Sequence, residues 1–91
     1  MKNFESIFIL NPDVTEEQVK NVLEDIKKLV EVKEVHIWGK KKLAYPVKKQ
    51  TEGYFVHFEF QNEIKKNAEL EKYYKNNELI IKYIVVQEYN N

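Results

Sequence analysis

Hydrophobic side chains recur along this chain with two different periods, and the changes of period divide it into elements. Aromatic and β-branched residues crowd residues 3–10, which predicts a first strand buried on both faces. Pro12 ends it, and Thr15 followed by Gln18 predicts a capping box that starts a helix near Glu16. Apolar residues in that helix recur at three- and four-residue steps and predict one buried stripe: Val19, Val22, Leu23, Ile26, Leu29 and Val30.

The rest of the pattern predicts three more strands and one more helix. Apolar alternation predicts a long second strand over roughly residues 34–48, with a bulge or bend at Gly39. Turn chemistry at residues 50–53 leads into a third strand. In this strand, the even-numbered residues are predicted to face the helices: Tyr54, Val56, Phe58 and Phe60. The odd-numbered residues are predicted to face the open side of the sheet: Phe55, His57 and Glu59. Residues 63–75 predict the second helix, with a stripe of Ile64, Leu70 and Tyr74, and residues 79–86 predict the last strand.

The order strand, helix, strand, strand, helix, strand predicts an α+β fold. Right-handed crossovers turn this order into a ferredoxin-like plait (βαββαβ), a four-stranded antiparallel sheet with two helices on one face. The 91 residues fit a single domain, residues 1–91. Since no segment approaches ~18 apolar residues and the N-terminus lacks a secretory signal, we expect no membrane association.

The composition argues against several chemistries that this fold can host. A metal carrier of the Cys-x-x-Cys type is excluded because the chain has no cysteine, and an acylphosphatase-like hydrolase because it has no arginine. The only serine, Ser6, lies inside a predicted strand, so neither histidine has a nucleophile to activate. His36 and His57 are expected to be packed or to lie on a sheet face, and two lone histidines predict no metal site. We therefore expect no enzyme, no cofactor and no small-molecule substrate.

The middle of the chain is basic and aromatic. No acidic residue falls between Glu34 and Glu52, and this window holds five of the fifteen lysines in a chain of net charge zero. Lysines on an exposed strand discourage edge-to-edge aggregation. They also contact phosphates, and with Trp38 and Tyr45 as stacking surfaces they fit nucleic-acid binding. The two roles are compatible, although aromatic burial in small cores favours core-facing positions for both rings.

A sequence motif links this stretch to a known family. Residues 38–48, Trp-Gly-Lys-Lys-Lys-Leu-Ala-Tyr-Pro-Val-Lys, resemble the signature of the bacterial ribosomal protein S six family, Trp-Gly-basic-basic-x-Leu-Ala-Tyr-Pro-Ile. Gly53-Tyr54-Phe55-Val56 follows at the expected distance, and the similarity extends over residues 1 to about 88. This chain departs from the family pattern in using lysine for arginine throughout, and in a shorter junction between the first helix and the second strand.

The resemblance implies a structural constituent of the 30S ribosomal subunit, cytoplasmic and monomeric when free. It implies binding to the central domain of small-subunit ribosomal RNA together with ribosomal protein S eighteen. Zero net charge fits this sharing, since a basic partner would supply part of the counterion release. The predicted RNA contacts are Lys2, Lys40, Lys41, Lys42 and Lys82. The predicted partner contacts are Trp38, Gly39, Leu43, Ala44, Tyr45 and Pro46.

Two other functions compete with this one. The first is a stand-alone module that binds single-stranded RNA on the open sheet face. The second is a small-molecule-sensing regulatory domain that dimerises through its sheet. The absence of RNP-type Lys-Gly-Phe-x-Phe letters counts against the first, and the family motif favours the ribosomal role over both.

Overall fold

The computed structural model describes residues 1–89 as a four-stranded antiparallel sheet with two helices on one face. The strand order is β2-β3-β1-β4, which confirms the predicted ferredoxin-like plait. The elements are β1 Lys2–Leu10, α1 Glu16–Leu29, β2 Glu31–Val47, β3 Gln50–Asn62, α2 Asn67–Asn76 and β4 Ile80–Gln87, with one 3₁₀ turn, Ile64–Lys66, before α2. Across residues 1–89, neither helix has the length and apolar character needed to span a membrane.

The core lies between the helices and one face of the sheet, which we call the covered face. Because strand side chains alternate, every second residue of β1 and β3 points into it, and the predicted division of β3 is confirmed. The buried set includes Phe4, Phe8, Leu10, Val56, Phe58 and Phe60. Helix α1 contributes its predicted stripe, with Val19, Val22 and Ile26 almost fully buried. Aromatic rings pack between the sheet and helix α2: the ring centre of Phe8 lies 5.9 Å from that of Phe58 and 5.6 Å from that of Tyr74.

Helix α1 begins at the predicted residue because its capping box forms. The hydroxyl of Thr15 accepts the Gln18 amide at 3.1 Å, and the Gln18 side-chain oxygen accepts the Thr15 amide at 2.9 Å. Helix α2 has no side-chain cap and is preceded by the 3₁₀ turn. Since that turn takes Ile64 off the face made by Leu70 and Tyr74, Ile64 is 56% exposed. Its prediction as a buried residue of the stripe was wrong.

A buried chain of hydroxyl groups joins β1, α2 and β4. The Ser6 hydroxyl donates to the Ile84 carbonyl at 2.7 Å, so the Tyr74 hydroxyl, 2.8 Å away, donates to Ser6. Burial raises the pKa of Tyr74, which keeps this phenol protonated as a donor. The result is a fully satisfied polar link inside an apolar core.

The opposite sheet face, which we call the open face, is uncovered among the described residues. The prediction that β1 is buried on both faces was therefore wrong for most of its length, since Glu5 and Ile7 are only half-buried. Ile9 is the exception on the open face, where it packs beside Gly53. A Cβ added to Gly53 would overlap Cγ2 of Ile9, so this buried position requires glycine.

The turn between β2 and β3 is shorter than predicted. Val47 pairs with Gln50, which leaves Lys48 and Lys49 as a two-residue turn with φ angles of 49° and 67°. Residues 50–53, which were predicted as the turn, instead begin β3. Lysine rarely occupies two successive left-handed positions, and this is why sequence reasoning placed the turn at the polar, glycine-containing segment downstream.

Candidate functional site

The basic, aromatic stretch forms the far end of the β2–β3 hairpin, at the edge of the sheet. Strand β1 ends at Leu10 opposite Tyr54, so residues 42–52 extend beyond it. We call residues 40–52 the hairpin end. Since β2 is an edge strand, one side of its backbone and both of its faces are accessible there.

Trp38 lies on the open face, two residues after His36 on β2, and it is the extra residue of a bulge. Ile37 pairs with Val56 and Gly39 with Phe55, so Trp38 has no partner residue of its own on β3. Gly39 has φ 81°, which confirms the predicted bulge. Trp38 is 44% exposed, and the prediction that it faces the core was wrong, because it rested on the usual burial of aromatic rings, whereas strand alternation places Trp38 on the face opposite to Ile37.

A larger irregularity carries the Leu-Ala-Tyr-Pro motif. Lys42 pairs with Glu52 and Val47 with Gln50, so residues 43–46 stand opposite Thr51 alone. The motif therefore protrudes as a bulge, where Pro46 costs no ladder hydrogen bond. Tyr45 at its crest is 81% exposed, which again contradicts the predicted core-facing position.

The bulge borders a shallow cavity of about 230 Å³ on the open face. Motif residues line one side, and Ile9, Phe55 and Lys82 line the other. Lys82 reaches this position from β4 because it pairs with Ile9, whose side chain shares the open face. The structure thus brings two predicted RNA contacts, Lys42 and Lys82, together with three predicted partner contacts: Leu43, Ala44 and Tyr45.

The predicted RNA contacts do not all share one face. Lys41 pairs with Gly53 on the open face, with its Nζ 5.4 Å from the centre of the Trp38 ring. Lys42 borders the cavity, whereas Lys40 pairs with Tyr54 and lies on the covered side. Lys2 pairs with Asn62 at the opposite end of β1, roughly 27 Å from Leu10 at the usual rise per residue.

Four rings form a row along the open face beside these lysines. Trp38 stacks on Phe55 at 6.4 Å and on His57 at 5.6 Å, and His57 stacks on His36 at 5.4 Å. The Nε2 atom of His57 lies 3.4 Å from the Glu5 carboxylate. Both histidines lie on the sheet face, as expected from the sequence.

Beyond the histidines, the open face becomes acidic. Glu34 pairs directly with Glu59 across the strands, and both line a second cavity, of about 270 Å³, together with Glu88. A hydrogen bond from the Glu34 side chain, followed by burial and the charge of Glu88, raises the pKa of Glu59. Among the described residues, the positive end of this face is therefore the hairpin end together with the neighbouring Lys82.

One group in the described part of the chain has the ligand types and spacing to hold a metal ion: Glu34, His36 and Glu59. Their ligand atoms lie within 4.8 Å of one another. Sequence reasoning missed this cluster because only the strand register brings Glu59 to the other two. The Glu-x-His spacing, which puts both side chains on one strand face, was the available clue.

Comparisons with known proteins give one consistent result. A family model described as Ribosomal protein S6 matches residues 3–87. The small ribosomal subunit protein bS6 of Thermoanaerobacter pseudethanolicus is 36% identical over 92 residues, covering 96% of this chain and 97% of that protein. The protein of the same name from Clostridium novyi is 36% identical, with 94% and 96% covered. A crystal structure of 30S ribosomal protein S6 from Thermotoga maritima has a TM-score of 0.88 at 30% identity, covering 96% of this chain and 87% of that one.

Proposed function

The chain belongs to the Ribosomal protein S6 family, and we propose that it binds the central domain of small-subunit ribosomal RNA together with ribosomal protein S eighteen. It does so as a structural constituent of the bacterial small subunit, in the cytoplasm, and not as an enzyme. The free chain is a monomer, kept so by the lysines along its exposed edge strand.

The observation that carries this proposal is the bulged hairpin end. Protein interfaces need exposed apolar and aromatic side chains at their centre. The bulge holds Ala44, Tyr45 and Pro46 in solvent, with Leu43 half-buried beneath them. A monomeric chain gains nothing from exposing these side chains, so their position supports a protein partner seated on the hairpin end together with Trp38 and Gly39.

Lysines at the rim of the same surface support the RNA contact. Lys41, Lys42 and Lys82 border the cavity or the Trp38 ring, where they would position phosphates. The acidic end of the open face repels phosphate, so few contacts are available to the chain alone. A contact at Lys2 requires an RNA that spans the length of β1, and one at Lys40 requires an RNA that wraps the edge strand.

Filter binding with central-domain RNA, with and without ribosomal protein S eighteen, tests the proposal. We expect weak binding by the chain alone and tight binding when the partner is added. Tyr45→Ser should weaken the effect of the partner. Tyr89→Ser is the matched control, because this tyrosine is 79% exposed away from the hairpin end. Equal RNA affinity with and without the partner would exclude shared binding.

The row of rings on the open face favours the stand-alone RNA module as a second candidate. Trp38 is half-exposed and stacked, so a base could extend the row at its outer side. Binding of a short single-stranded oligonucleotide without any partner, lost in Trp38→Ala, would support this candidate. The family assignment favours the ribosomal role over the hypothesis of a small-molecule-sensing regulatory domain.

A further inference from the structure

We propose that Glu34, His36 and Glu59 bind a divalent transition-metal ion on the open face of the sheet. The inference is independent of the ribosomal role, since these side chains lie at the opposite end of the face from the hairpin end. All three ligand atoms lie within 4.8 Å of one another. Ligands about 2 Å from a bound Zn²⁺ ion are separated by roughly 3 to 3.5 Å, so a contraction of up to roughly 1.5 Å closes the site.

The strand register builds this arrangement. Glu34 and His36 are two residues apart on β2 and therefore share a face, and Glu59 is paired opposite Glu34 on β3. The Nε2 atom of His36 already lies 3.3 Å from the Glu34 carboxylate. The paired backbones of β2 and β3 thus fix the Cα positions of all three ligand residues. Only the exposed ends of their side chains need to move to bind the ion.

The charges around the cluster favour a cation. Glu34 and Glu59 are paired across the strands, and Glu88 adds a third carboxylate from the segment after β4. On β1, Glu5 pairs opposite Glu59, with its carboxylate 3.4 Å from Nε2 of His57 on β3. Lys33 lines the cavity that Glu34, Glu59 and Glu88 also line, but its ammonium group lies 3.3 Å from the Glu31 carboxylate and pairs with that residue. A divalent ion would relieve this crowding of negative charge.

The ligand set selects the class of metal. One imidazole with two carboxylates suits Zn²⁺, Co²⁺ or Ni²⁺, whereas Mg²⁺ and Ca²⁺ prefer oxygen ligands alone. Glu88 or water would complete the coordination. Because the ion would join the edge strand β2 to β3 in the folded state only, binding also raises the melting temperature.

Calorimetric titration of the full, tag-free chain with ZnCl₂ and with CoCl₂ tests the site. We expect one ion per chain, no heat from MgCl₂, and a rise in melting temperature with Zn²⁺. His36→Gln and Glu59→Gln should each weaken Zn²⁺ binding at least tenfold and abolish the melting shift, while circular dichroism shows that both variants fold.

Two control variants make the outcome decisive. Glu31→Gln removes an exposed carboxylate of the same strand that is outside the cluster, and it should bind Zn²⁺ like the original chain. His57→Gln removes the other imidazole and should bind Zn²⁺ within about twofold. Loss of binding in His57→Gln with retention in His36→Gln would overturn the assignment, as would the absence of saturable Zn²⁺ binding in the original chain.

Discussion

The covered and open faces of the sheet are built from alternate residues of the same strands, yet they differ in almost every property. Phe58 and Phe60 on the covered face are almost fully buried, whereas Phe55 and His57 on the open face of the same strand are only partly buried. The covered face is apolar apart from the hydroxyl chain and Asn62, which donates to Asn67, and the open face runs from lysines through stacked rings to carboxylates. One strand therefore builds the core with one set of residues and leaves the other set accessible.

The largest difference should appear when one ring is removed from each face. Phe58→Ala should lower the free energy of unfolding by about 3 to 5 kcal/mol, because it leaves a cavity under both helices. Phe55→Ala on the same strand should cost only roughly 1 to 1.5 kcal/mol, since its ring is only partly buried. Urea unfolding of both variants measures the contrast, and equal losses would show that the open face is stabilising too.

Gly53 is an exception to the rule that substitutions on the open face cost little stability. Although it lies on the open face, Gly53→Ala should cost about 1 to 3 kcal/mol, because the new methyl overlaps the stiff Cγ2 of Ile9. The same substitution in an Ile9→Ala background should cost much less, since the overlapping atom is gone. An unchanged cost in that background would assign the effect to the backbone and not to the contact.

Lysines on the two sides of the sheet should differ in their effect on RNA binding. Together, Lys41→Ala, Lys42→Ala and Lys82→Ala should flatten the log-log salt dependence of partner-assisted RNA binding by about 2 to 3, at roughly 0.7 to 0.9 per phosphate contact. Lys40→Ala, from the same lysine run but on the covered side, should leave the slope unchanged. Salt titrations measure both. An effect of Lys40 equal to that of Lys41 would mean that RNA contacts both sides of the edge strand.

Removing the charges from the edge strand should have a second, weaker effect. The triple variant keeps its fold, because exposed substitutions of this kind cost about 0.5 kcal/mol or less each. Its edge strand, however, loses repelling charge beside exposed Ile37 and Tyr45, so light scattering should show more self-association of the free chain. An unchanged salt slope with unchanged scattering would leave these lysines without either role.

The smallest effect is expected at the turn, which belongs to neither face. Replacing Lys48 and Lys49 by Asn and Gly should raise the free energy of unfolding by about 1 kcal/mol, because this pair tolerates the left-handed conformation of both positions. RNA binding should not change. A loss of stability in urea unfolding would mean that the turn geometry differs from the two-residue type.

Periodicity was sufficient to predict which face most strand residues occupy, but only between irregularities. The even and odd residues of β3 were assigned correctly because β3 has no inserted residue along β1. Trp38 and Tyr45 were assigned to the wrong side because that prediction rested on the usual burial of aromatic rings, and Tyr45 also lies in a bulge where alternation fails. Gly39 indicated a bulge, but a glycine does not say which neighbour becomes the unpaired one.

Contacts between strands were beyond what local patterns could predict. Lys82 lies near the bulge because β4 pairs with β1. Glu59 lies beside Glu34 because β3 pairs with β2. Register of this kind is set by the whole sheet and its turns. The family motif directed attention to the hairpin end, while the grouping of its lysines required the structure.

The hydroxyl chain through Ser6 makes two distant positions depend on each other as the sequence changes over time. A change of Ser6 to alanine leaves the buried phenol of Tyr74 without its acceptor, whereas a change of Tyr74 to phenylalanine leaves the Ser6 hydroxyl still donating to the Ile84 carbonyl. An orphaned buried hydroxyl costs about 1 to 3 kcal/mol, whereas loss of both partners together is nearly neutral. Drift from the serine-tyrosine pair to an alanine-phenylalanine pair should therefore change Tyr74 first, so what position 6 tolerates depends on position 74 although 68 residues separate them.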